Sequence, residues 1–208
     1  MGDLRGRDDE PFYAWRDLLQ CWSEEWLDPV LHEQERAEPF PDDVRRARWL
    51  GAPGATGEEV GALEERLGVR LPASYRQFLL ASNGWLNTTR EIDRILPVQE
   101  VGWTRDLDPY LVSVWTRQDA GFRVCDEEYF VYGEAQDPVS LRPEYLPHTL
   151  KVSHTPEATD VYLLNPCVVT ADGEWEAWYV AHWLPGAVRY RSFWDLMNGE
   201  YRSFRGEW

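Results

Sequence analysis

The segment from Leu163 to Met197, LLNPCVVTADGEWEAWYVAHWLPGAVRYRSFWDLM, constrains the fold of this chain more than any other stretch. Val161 to Leu164 and Trp175 to Ala181 are β-rich runs, and Ala171-Asp172-Gly173 supplies a turn between them. Parallel strands need a crossover of a dozen or more residues, so the short spacing predicts antiparallel pairing. The segment holds four tryptophans, and no lysine or arginine lies between Val152 and Val188. Most of the tryptophans are expected in a core, because each removes a large apolar area from water. The carboxylates Asp172, Glu174 and Glu176 are then left to be explained.

Ahead of this sheet the hydrophobic period is helical. Trp15, Leu18, Leu19, Trp22 and Trp26 recur at helix spacing between Pro11 and Leu27. Pro29 and Pro39-Phe40-Pro41 bracket a short polar helix, and Asp42-Asp43 can cap another from Val44 to Leu50. Thr56 and Glu59 have capping-box spacing for a helix with Val60, Leu63 and Leu67 on one face and Gly68 at its end. Leu71-Pro72 opens a further helix with Tyr75, Phe78 and Leu79 inward, closed by Asn83-Gly84. Arg94 to Val98, Tyr129 to Tyr132 and Leu150 to Ser153 read as strands, and Ser192 starts a last helix carrying Phe193, Leu196 and Met197 inward. Helices, then a meander, then a helix is an α+β plan. Residues 1–48 read as a helical extension on a main domain of residues 49–208.

The net charge of −16 repels nucleic-acid phosphates and anionic lipid, so direct binding to either is not expected. It favours a basic protein partner, although solubility alone accounts for it equally well. Cys21, Cys125 and Cys167 are odd in number and widely spaced, which suits buried apolar positions in a reducing compartment. The first residues, MGDLRGRDDEPF, lack an apolar signal core, and no apolar run approaches membrane-spanning length. A cytoplasmic protein is the expectation.

Reactive motifs are sparse. GAPGATG, Gly51 to Gly57, could cradle a pyrophosphate at a helix start, but the charged, helical DDVRRARW precedes it where a buried strand is required. Glu58 and Glu59 also stand where phosphates would sit, so a flexible lead-in to a capped helix is the reading. No HExxH, CxxC or His-Cys spacing suggests a metal, and Cys125 has no nearby cation in sequence to activate it. No catalytic residue, metal ligand or cofactor site is assigned. Glu174 and Glu176 alternate with Trp175 and, in a regular strand, share a sheet face with Trp178. With Asp126, Glu127, Glu128 and Asp137 from a second base-free tract, Val124 to Leu141, they predict a negative face edged by aromatics that would hold a basic partner. The alternative is a solvated sheet face over a tryptophan-rich core.

Two stretches resemble one family. GATGEEVGALEERLGVRLPASYRQFLLASNGW, Gly54 to Trp85, resembles the N-terminal signature of the SUKH superfamily, and LLNP, GEWEAW, Pro185-Gly186 and RYRSFWDLM resemble its C-terminal part. Together they span about Trp49 to Tyr201, leaving the N-terminal helices outside. The resemblance implies an α+β domain with an antiparallel sheet packed by helices, used mostly by bacteria as an immunity protein that binds and neutralises a cognate toxin. The fungal branch regulates cell-wall synthesis through partner binding. Neither implies catalysis. The motif positions Leu71, Pro72, Tyr75, Asn83, Gly84, Trp175 and Trp178 are expected to be structural more than partner-contacting.

Overall fold

The computed structural model describes residues 11–28, 40–86, 88–89, 92–118, 124–155 and 160–207. The short helix expected between Pro29 and Pro39 lies outside them. Helix α1 (Trp15–Trp26) places Trp15, Leu19, Trp22 and Trp26 on one buried stripe. Helix α2 (Asp42–Ala47) is shorter than expected: Asp42 and Asp43 occupy its first turn rather than its cap, and it stops where Arg48 takes a left-handed backbone conformation. Helix α3 (Gly57–Leu67) has the full capping box, with Thr56 Oγ1 accepting from the Glu59 amide at 3.2 Å and the Glu59 carboxylate accepting from the Thr56 amide at 2.8 Å. Such a cap stabilises by about 1 kcal/mol. Gly68, at φ 71°, ends the helix, and α4 (Ala73–Ala81) follows.

The aromatic stripe of α1 closes the core between α4 and the last helix, α8 (Phe193–Phe204). Trp15 packs edge-on against Phe78 of α4 at 5.2 Å and against Trp194 of α8 at 4.8 Å. Trp22 meets Trp85 and Tyr201, and Trp26 meets Phe204. The N-terminal tryptophans therefore share one hydrophobic cluster with the sheet and with α3, α4 and α8.

Strands β1 (Trp85–Leu86), β2 (Arg94–Ile95) and β5 (Ser153–His154) form a small antiparallel sheet. The larger antiparallel sheet runs β3-β4-β6-β7-β8, with β3 Gly102–Trp103, β4 Leu150–Lys151, β6 Val161–Val169, β7 Trp175–Val180 and β8 Ala187–Tyr190. The run Leu150 to Ser153 thus serves both sheets. Val152 is the crossing point: its amide donates to Tyr162 and its carbonyl accepts from Leu96. The turn read at Ala171-Asp172-Gly173 is present, with Gly173 at φ 83°.

Strand β7 is buried along its whole length. Trp175, Ala177 and Tyr179 face the main cluster, whereas Trp178 and Val180 face a second one on the other side of the sheet. That second side is covered by α5 (Thr104–Leu107), α6 (Pro109–Gln118) and a strap from Val124 to His148. The strap contains α7 (Asp126–Tyr129) and two 3-10 turns. The strand expected at Tyr129 to Tyr132 is therefore a helix end and a turn; its β-favouring aromatics serve as anchors instead.

Two glycines of the Gly51 to Gly57 segment, Gly51 and Gly54, serve packing. A Cβ on Gly54 would stand 2.0 Å from the Leu80 carbonyl oxygen, and one on Gly51 would stand 2.1 Å from Ser82 Oγ. Both hold the lead-in loop against the end of α4. Gly54→Ala is expected to destabilise by about 1–3 kcal/mol through backbone overpacking, read as a lower thermal midpoint; an unchanged midpoint would show that the loop is not tightly seated.

Candidate functional site

The carboxylates predicted to form a negative face divide into two groups. Asp126, Glu127, Glu128 and Asp137 are exposed on the strap. Glu174 and Glu176 are buried, at 2% and 0% exposure, and Trp178 is at 0%. None of these three lies on an exposed face: the strap and α6 cover Glu176 and Trp178, whereas Glu174 is buried against the start of α4 and Tyr13.

Glu176 has a dense set of donors. Tyr129 Oη donates at 2.6 Å, Trp178 Nε1 at 2.6 Å, Tyr132 Oη at 2.8 Å and Asn165 Nδ2 at 3.1 Å. The fully buried Arg189 guanidinium stands 3.9 Å away. It donates to the Tyr129 carbonyl and lies over the Tyr129 ring at 4.5 Å. Burial, then the Glu176 charge, pushes the Tyr129 hydroxyl well above its ordinary pKa, and Tyr132 is raised by the same causes. Strand and strap are thereby tied through one buried carboxylate.

Glu174 does not share a face with Glu176. The β6–β7 register shifts between Asn165 and Val169, so the residue before Trp175 turns toward the helices. Its carboxylate accepts from the Ser74 amide at 2.8 Å, from the Ser74 hydroxyl, and from Tyr13 Oη at 2.9 Å. Helix α4 begins after Pro72, which offers no capping side chain. Glu174 supplies that cap from a hundred residues away in sequence, where the helix dipole also favours it.

The same pairing of tyrosine with acid recurs. Glu200, 5% exposed, accepts from Tyr162 at 2.8 Å, and Glu25 accepts from Tyr201 at 2.9 Å. Asp160, 2% exposed, accepts from Tyr179 at 3.1 Å and from both the His182 amide at 2.9 Å and its Nδ1 at 2.7 Å. Much of the acid in the base-free tracts is consequently internal wiring.

What remains outside is the strap. Asp126 is met by Arg142, whose guanidinium also lies over Tyr129 and Phe130, while Glu127, Glu128, Glu134 and Asp137 point to solvent. The strap also closes the edge of the sheet. Gln136 uses its side-chain amide as a strand would, accepting from Arg189 N at 2.7 Å and donating to Arg189 O at 3.2 Å, and Ala187 N donates to Pro138 O at 3.1 Å. Sequence reasoning did not find this strap, since its ties run to residues far along the chain.

Cys21, Cys125 and Cys167 are free and exposed, contrary to the burial expected of them. Among the described residues no group of three or more His, Cys, Asp or Glu could hold a metal ion, and no helix is long and apolar enough to cross a membrane. Surface grooves lie between α1 and α4, about 450 Å³ around Phe12, Trp15 and Leu80, and beside Gly51 and Trp85, about 230 Å³; neither contains the candidate carboxylates.

An α+β scaffold with paired interior acids and an acidic strap on one side is the class that fold and site define. The chain matches the model of the SMI1 / KNR4 family (SUKH-1) over residues 54–199 and belongs to that family. The span is the one on which the sequence motifs converge. No curated protein matches the chain.

Proposed function

We propose that this protein is an immunity protein, which binds a cognate bacterial toxin and neutralises it by stoichiometric occlusion in the cytoplasm. Family membership carries the reading. The exposed carboxylates Asp126, Glu127, Glu128 and Asp137 and the net charge of −16 support a basic, nuclease-like partner, with fast and salt-sensitive association. Glu174, Glu176 and Trp178 enter as positioning residues, since they are buried: Glu176 with Trp178 fixes the strap, and Glu174 fixes the start of α4. Residues 49–208 are taken as the binding domain and 1–48 as its helical extension. A regulatory adaptor for a non-toxin partner is the second reading, favoured by the same family, whose description includes SMI1/KNR4.

Co-expression with the toxin encoded beside this gene tests the proposal. Cells carrying both are expected to grow where the toxin alone kills. If they die equally fast, the immunity reading fails and the adaptor reading stands.

A further inference from the structure

Among the described tryptophans, Trp183 alone is exposed, at 59%. It sits at the tip of the β7–β8 hairpin, a tight turn in which Leu184 N donates to Ala181 O at 3.0 Å. Beneath the tip, Asp160 grips the turn through the His182 amide and Nδ1 and through Tyr179 Oη, and the Tyr179 ring lies 6.4 Å from the Trp183 ring. The indole is thus displayed on a backbone fixed from inside, which lowers the entropy lost on docking. Beside the hairpin base, Gly186 packs so closely on the strap that a Cβ there would stand 1.8 Å from Pro138 O and 3.3 Å from the Val139 Cα. Val139 is itself 48% exposed, and Asp137 holds the Val139 amide at 3.0 Å while its charge faces solvent.

We propose that this hairpin, with Trp183 at its tip and the strap residues Asp137 and Val139 at its base, is the anchor of the partner-binding surface, and that it receives an arginine- or lysine-bearing protein face. The inference rests on the binding role proposed above and names its surface. A large exposed aromatic on a fixed turn, with apolar and acidic residues on the strap packed at its hairpin base, has the make-up of an interface hot spot. An exposed indole face on a hairpin whose base packs on an acidic strap suits a guanidinium or ammonium in particular.

The test titrates an octa-arginine peptide into the labelled full chain and follows the tryptophan indole N–H resonances. The Trp183 signal is expected to move most. Trp183→Ala is expected to weaken the peptide by about fivefold. Asp137→Asn, which keeps the acceptor for Val139, weakens it to a lesser degree, and Phe12→Ala, exposed elsewhere, leaves it unchanged. Shifts centred on other tryptophans, no binding, or a Trp183→Ala variant that binds as the parent does would overturn the proposal. So would a concentration-dependent dimer, seen by sedimentation without peptide and lost in Trp183→Ala, since the tip would then belong to a second copy. In co-expression, a parent that protects with an equally protective Trp183→Ala refutes the surface and leaves the immunity role. A parent that fails to protect refutes that role, while the peptide titration still decides the surface.

Discussion

Glu176→Leu is expected to remove about 3–5 kcal/mol of stability, a large part of the 5–15 kcal/mol that holds a domain of this kind together. The leucine would fill the space without accepting a hydrogen bond. Tyr129 Oη, Tyr132 Oη, Trp178 Nε1 and Asn165 Nδ2 would all lose an acceptor, and Arg189 would lose its nearest carboxylate. Each buried donor left unmet costs about 1–3 kcal/mol before relaxation. Arg189→Met is expected to be similarly damaging. The double variant Glu176→Leu/Arg189→Met should be milder than the sum of its parts by about 1–3 kcal/mol, because charge and countercharge leave together. Urea unfolding of the two single variants and the double variant measures this coupling, and strict additivity would refute the network.

The same substitution has a local signature. Tyr129 and Tyr132 tie the strap to β7, so Glu176→Leu should raise amide exchange across Asp126 to Pro138 well above that in α1 or α8. Uniform protection loss would mean that the strap is held by other contacts.

These ties also explain what was legible in the chain. The capping box at Thr56, the inward faces of α1, α3, α4 and α8, the β6–β7 hairpin and its glycine turn are all local, and each follows from spacing and turn chemistry. The faces of the sheet were not legible, because burial of the Glu176 side depends on α6 and the strap covering it. Helix α6, PYLVSVWTRQ, is rich in β-branched residues and carries few helix signals. Glu174 shows the limit most clearly. Strict alternation places it with Glu176, yet the extra residues in β6 between Asn165 and Val169 turn it to the opposite side. An acid-rich, base-free tract looks like a surface when its partners are tyrosines, since the pairing of carboxylate with phenol leaves no opposite charge in the sequence.

Alkali should expose that pairing as a single cooperative loss of structure. Tyr75, Tyr129 and Tyr162 are fully buried, and each is pushed well above the ordinary tyrosine pKa. Burial is the first cause in all three, joined by the Glu176 charge at Tyr129 and the Glu200 charge at Tyr162. In the unfolded chain these phenols ionise near pH 10. Their contribution is therefore complete below pH 10 and is lost as pH climbs from there toward the raised folded values. Each tyrosine forfeits about 1.4 kcal/mol per pH unit above 10, so the three together give up about 4 kcal/mol by pH 11. Tyrosinate absorbance of the buried group should appear in step with loss of the circular dichroism signal, not ahead of it. Full tyrosinate absorbance by pH 10.5 in a chain with intact dichroism would sink the argument. Tyr75 separates burial from bonding, because its hydroxyl has no hydrogen-bond partner among the described residues. Tyr75→Phe should be neutral or mildly stabilising at pH 7 and should move the alkaline midpoint upward, since it deletes an unsatisfied polar group along with an ionisable one. Tyr162→Phe removes a donor from buried Glu200 and should be destabilising at pH 7 by about 1–2 kcal/mol, so the two variants part in sign at neutral pH while both lose a titrating phenol.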